Sequence, residues 1–174
     1  MRAARILAGL LLAAVLLVPA AAAAPVRSER ALTPLESGVL ADINAFRRSH
    51  RLAPLRLNAR LTAAARAHTV QMAHDGYFSH DSADGSSFWK RIQAFYASSP
   101  WTYWSVGENL LWSSPNVSPK RALAMWLASP EHKKNLMNPA WREIGVAAVH
   151  EAAAPGVFKG LDVTIVTTDF GVRR

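Results

Sequence analysis

The apolar pattern of the chain changes period partway along, and that change restricts the fold more than any single motif. Up to about residue 137 apolar residues recur at helical spacing behind recognisable helix starts. Beyond it, 144–149 and 162–170 are β-branched or aromatic-rich runs of strand length, separated by Pro155-Gly156, and read as an antiparallel pair. Thr33-Pro34-Leu35-Glu36 is a capping box with proline at the first helical position; Leu35, Val39, Ile43 and Phe46 follow, so the spacing predicts a helix over 34–49. Asn58 caps a second helix with Leu61, Ala65, His68 and Met72 inward, ended by Gly76. After a polar loop, Phe88, Trp89 and Ile92 mark a short amphipathic segment. Ser118-Pro119 and Ser129-Pro130 open two more helices, the first carrying Leu123, Met125, Trp126 and Leu127. Helices against a small antiparallel sheet make a layered α+β domain, with Trp126 expected inward.

The beginning of the chain has a different purpose. Arg2 and Arg5 precede an apolar run at 6–18 and an alanine run at 20–24, the pattern of a cleavable export signal. That run is about thirteen residues, short of the roughly twenty a spanning helix needs. Residues 1–24 are therefore expected to be removed, 25–33 to form a flexible lead-in, and 34–174 to form one domain that works outside the cytoplasm, in the extracellular space or the cell envelope. About 150 residues suffice for a single core. With no cysteine, that core has no disulfide framework or thiol chemistry to rely on, and six tryptophans supply aromatic packing instead.

The net charge of +8 falls to +6 once Arg2 and Arg5 are gone. A basic exported protein associates with anionic surfaces, so a cell-wall polymer or a lipid surface is an expected partner. The charges are scattered along the sequence, and the densest run, Arg47, Arg48, His50 and Arg51, closes a helix where cations are favoured anyway. Without a basic stripe interleaved with aromatics or a nucleic-acid module, no nucleic-acid partner is expected, and the domain is expected to act as a monomer.

Several catalytic signatures fail on reading. His150-Glu151 begins like a zincin motif, but Ala154 stands where the second histidine belongs, and Ala128 defeats the inverted version at Glu131-His132. There is no G-x-S-x-G elbow and no phosphate-binding glycine loop. Three polar positions in suggestive settings remain: Phe78-Ser79-His80 past the second helix, Gly107-Glu108-Asn109-Leu110 in an apolar frame, and Ser129-Pro130-Glu131-His132-Lys133-Lys134-Asn135-Leu136 at a helix start. A carboxylate framed by Val106 and Leu110 needs a partner. A structural reading gives Glu108 backbone N–H groups instead. His68, on an inward helix face, reads as a satisfied core histidine, and His50, His74 and His150 as surface residues.

Those motifs in that order, with Asn44-x-x-Arg47, Leu57-Asn58, Trp126, Ile144-Gly145-Val146 and Asp169-Phe170-Gly171, resemble the bacterial branch of the CAP superfamily, which includes cysteine-rich secretory proteins, venom antigens and plant pathogenesis-related proteins. The resemblance runs from about Leu40 to Gly171. It implies an α-β-α sandwich and a cleft formed by His80, Glu108 and His132, with Asn135 on the same helix face as His132 and Glu131 as a further candidate. It also implies that His80, His132 and Glu108 bind a divalent metal, zinc or magnesium, or that the cleft takes a small or lipid-like ligand. Neighbouring helical positions point about 100° apart, so Glu131 and His132 do not both face one cleft. A binding domain is favoured over an enzyme. The alternatives are a hydrolase of esters or peptides that uses His80, Glu108 and His132, and a charge-driven interaction module with no cleft chemistry.

Overall fold

The computed structural model describes residues 31–174; the expected export signal and most of the lead-in lie outside the described residues. Helix α1, Pro34–Ser49, opens on the expected capping box: Thr33 Oγ1 accepts from Glu36 N–H while the Glu36 carboxylate accepts from Thr33 N–H. A two-residue strand β1, Arg56–Leu57, leads into α2, Ala59–Asp75. Asn58 Oδ1 accepts the N–H groups of Arg60 and Leu61, and Gly76 closes α2 at φ 71°, the left-handed conformation that glycine adopts without strain. There follow α3 (Phe88–Phe95), β2 (Trp104–Ser113), α4 (Pro119–Leu127), α5 (Pro130–Met137), β3 (Glu143–Ala154) and β4 (Leu161–Arg173).

The sheet order is β1-β3-β4-β2. The two runs read as strands pair antiparallel, Ile144 opposite Phe170. β2 pairs antiparallel with the far side of β4, Glu108 opposite Asp169. β1 adds a short parallel edge, Arg56 opposite Glu143, to an otherwise antiparallel sheet. β2 is the element that sequence patterning does not announce. Its centre reads Gly-Glu-Asn, poor strand formers that only pairing with β4 holds extended.

One face of the sheet carries Ile144, Val146, Val166 and Phe170 against Val39 and Ile43 of α1, Trp126 of α4 and Leu136 of α5. Trp126 is fully buried, as its place on the apolar helix requires, and its indole N–H donates to Leu110 O at 3.0 Å. On the other face Met72 and Ala73 of α2 meet Leu110, Val163 and Ile165, while Leu61 and Ala64 meet Ile92 and Tyr96 near α3. A Cβ placed on Gly145 would stand 2.1 Å from the Leu61 carbonyl carbon, so α2 lies directly on the backbone of β3 there. Helices on both faces of this sheet make the α-β-α sandwich that the resemblance implies.

Candidate functional site

β2 lies at the sheet edge, and strand alternation sends neighbouring side chains to opposite faces. Glu108 points to the α2 side and Asn109 to the α5 side, and each recruits a different segment. Asn109 Nδ2–H donates to His132 O at 3.1 Å. Asn135 Nδ2–H donates to Glu108 O at 3.0 Å and to Asn109 Oδ1 at 2.9 Å. The side-chain amide of Asn135, expected in the cleft, thus ties α5 to the outer backbone of β2. His132 is brought close to the histidine on the opposite side.

That histidine, His80, sits in the loop after α2. His68, completely buried on the inner face of α2, hydrogen-bonds Ser79 O through Nε2 at 2.8 Å. Arg91 of α3 reaches back to His80 O at 3.1 Å and Ser82 Oγ at 3.0 Å. With the backbone held from both ends, His80 Nδ1 lies 2.8 Å from Glu108 Oε1. A carboxylate oxygen accepts, so Nδ1 carries the proton and a neutral His80 ring presents a bare Nε2. Glu108 is almost fully buried, whereas half of the His80 side chain is exposed. The second Glu108 oxygen, Oε2, is taken by the Arg91 guanidinium.

The His80 and His132 rings lie 6.5 Å apart, centre to centre. The pKa of His132 is lowered, first by burial and then by the charge of a protonated His80, so its neutral imidazole is favoured. His68 is likewise lowered, chiefly by burial. Glu131 is exposed and acts on His132 only through its charge, which pulls the other way. Ser79 Oγ accepts Asp81 N–H at 3.2 Å, and Ser82 Oγ holds Arg91; neither hydroxyl is placed beside a base.

Two members of this cluster are not among the site residues read from the sequence, although Asp169 belongs to the Asp169-Phe170-Gly171 run that supports the resemblance. Arg91 follows Trp89-Lys90 in a stretch that reads as helix surface, yet its side chain is only 8% exposed because Glu108 draws it in. Asp169, directly opposite Glu108 on β4, is fully buried with its carboxyl group beside that of Glu108. Burial, then the Glu108 charge, raises its pKa well above the ordinary aspartate value, so the neutral form of Asp169 is favoured beside a Glu108 that is paired with Arg91 and His80. The signal available for both was Glu108 itself, since a buried carboxylate requires compensating groups nearby.

The profile of the cysteine-rich secretory protein (CAP) family matches residues 40–166. The uncharacterized protein YkwD of Bacillus subtilis is 30% identical over 118 residues, 68% of this chain and 44% of that protein; the chain therefore spans less than half the length of this curated relative. Among solved structures, an extracellular protein containing an SCP domain from Bacillus anthracis matches at TM-score 0.58 and 27% identity, covering 83% of this chain and 45% of that one. An outer surface protein from Borrelia burgdorferi matches at TM-score 0.58 and 20% identity, over 78% of this chain and 90% of that one, a likeness of fold.

Proposed function

The chain belongs to the cysteine-rich secretory protein (CAP) family, and on that premise we propose that it is an exported binding domain whose cleft holds a divalent cation through His80 and His132. The observation that carries this reading is the anchoring of His80 Nδ1 on buried Glu108, which leaves Nε2 turned away from its anchor beside a second imidazole. A ligating histidine is commonly oriented by a carboxylate on its other nitrogen. Neutral imidazoles suit zinc better than magnesium, which prefers oxygen ligands. Glu108 is then an orienting group, since His80 and Arg91 already engage both its oxygens. Among the described residues no group of three histidine, aspartate or glutamate side chains is placed to hold one ion. The protein would contribute two ligands, and water or a small ligand would fill the rest. The bound ion would supply Lewis acidity; His80 and His132 bind and orient. Export is supported by the pattern of residues 1–24 and by the extracellular SCP-domain neighbour.

Zinc titration by calorimetry tests this. His80→Ala and His132→Ala should each abolish measurable binding, and Glu108→Gln should weaken it roughly 10–100-fold by loosening His80. Binding should decline as pH falls through the histidine range, because a protonated imidazole cannot coordinate. Equal affinity in the wild type and both alanine variants would overturn the metal reading. Turnover of ester or peptide substrates that needs both histidines would favour the hydrolase instead.

A further inference from the structure

Arginines that are scattered along the sequence converge at one end of the folded sheet. β1 begins there with Arg56, whose side chain is 80% exposed. Arg142 stands just before β3, and its N–H donates to Gly171 O near the end of β4. Arg173 closes β4 opposite Trp104, and Arg174 exchanges backbone hydrogen bonds with Tyr103 at 2.8 and 3.0 Å. The C-terminus of α1 reaches the same end: buried Arg47 donates to Leu136 O and Asn138 O, its pKa is lowered by burial and by Arg142, and exposed Arg51 follows. Among the described residues in the segments that build this end, 47–57, 138–143, 101–104 and 171–174, Glu143 is the one acidic side chain. It is largely buried, bonded to Asn58 and Tyr96, with the exposed Arg56 guanidinium 3.8 Å away.

Apolar side chains share this end. Leu57, Trp101 and Tyr103 are 46%, 44% and 41% exposed. The Arg173 guanidinium lies 4.0 Å from the Tyr96 ring centre and 5.1 Å from that of Trp101, and Arg174 lies 4.7 Å from that of Tyr103. The rings brace the guanidiniums; Arg173 Nη1 also donates to Ala97 O at 3.5 Å, while Arg174 is exposed and can reach phosphate.

We propose that this end of the sheet docks the protein on an anionic lipid bilayer, the exposed Arg51, Arg56, Arg142 and Arg174 meeting headgroup phosphates and Trp101, Tyr103 and Leu57 entering the interface. Aromatic rings with one polar edge and arginine stems suit that boundary, which is apolar below and wet above. A soluble polyanion would match the charges but would leave the three exposed apolar groups without a role. The surface is separate from the His80–His132 cleft, and the proposal does not depend on metal binding.

Co-sedimentation of the purified protein with phosphatidylglycerol–phosphatidylcholine vesicles, against phosphatidylcholine alone, provides the test. Binding should require the anionic lipid and weaken as salt rises. Arg51→Gln/Arg56→Gln/Arg174→Gln should reduce it on the order of 100-fold, each arginine near the surface contributing a similar share. The charge-matched control Lys120→Gln/Arg121→Gln/Lys159→Gln, at other parts of the surface, should bind nearly as the wild type. Trp101→Ser/Tyr103→Ser should weaken vesicle binding and leave association with soluble poly(glycerol phosphate) unchanged. Circular dichroism verifies that each variant is folded. Equal loss in both charge variants would reduce the effect to net charge and overturn the proposal. So would indifference to lipid charge, or aromatic variants that bind vesicles like the wild type.

Discussion

Glu36 and Glu108 are both buried glutamates, one on the α1 side of the sheet and one on the α2 side, and they are satisfied by different kinds of partner. Glu36 takes the N–H of Thr33 at 2.7 Å, the Thr33 hydroxyl at 2.9 Å and, across the layer, Ala148 N–H at 3.0 Å, with Arg66 at 4.0 Å near its surface. Glu108 is paired with the side chains of His80 and Arg91, from two further segments of the chain, and faces Asp169, whose pKa is raised by burial and by the Glu108 charge. A carboxylate that fastens a helix start to the backbone of a strand serves the fold. One held by titratable and cationic side chains carries charge that a ligand or a pH change can redistribute.

The strongest way to break this contrast is Glu108→Ala, which removes the carboxylate paired with the buried Arg91 guanidinium and should cost about 3–5 kcal/mol in urea denaturation. Adding Arg91→Met should recover part of that loss. If Glu108→Ala costs no more than Glu36→Ala, the two sites do not differ as described.

Glu36→Ala comes next. It removes the capping box, about 1 kcal/mol, and orphans Ala148 N–H at a further 1–3 kcal/mol or so. Thr33→Ala removes only the local half and should cost about 1 kcal/mol. Equal losses for Thr33→Ala and Glu36→Ala would mean that the bond to Ala148 contributes nothing.

What the sequence reveals about these two sites follows from how far their partners lie along the chain. Thr33 and Glu36 are three residues apart, so the capping box is visible in the letters, as are the Asn58 cap and the Gly76 stop. The bond from Glu36 to Ala148 spans 112 positions and has no local trace. Around Glu108, the apolar frame indicates that a partner is needed, and the family resemblance singles out His80 and His132. Arg91 and Asp169 stay hidden because a charged residue in a short helix and an aspartate near a strand end both have ordinary surface explanations. β2 itself is missed for a related reason: Glu108 and Asn109 make a poor strand by composition, and the cross-strand partners that hold them extended lie some 60 residues on. The arginine-rich end is invisible along the chain because four separate segments build it.

The smallest expected effect sharpens the contrast through pH. Burial favours the neutral form of His68, its folded-state pKa lying below the ordinary value of about 6.5. The unfolded chain therefore binds more protons as pH drops below that value, and stability should fall with it, His132 adding in the same direction. Urea midpoints measured from pH 8 down to 5 should show a shallower decline in His68→Gln, whose amide can still reach Ser79 O. An unchanged pH slope in that variant would place the sensitivity elsewhere.

The hydrogen bonds that Trp126 and Asn135 make to the outer carbonyls of β2 have a consequence beyond joining α4 and α5 to the sheet. An edge strand with free carbonyls and N–H groups is a template on which another extended chain can crystallise into a growing sheet. Here an indole and a carboxamide occupy the Leu110 and Glu108 carbonyls, and on the other flank, beyond the two residues of β1, Glu36 occupies Ala148 N–H. The same side chains that assemble the fold act as guards against self-templated aggregation, a safeguard for a domain that is expected to fold after export and has no disulfide to lock it.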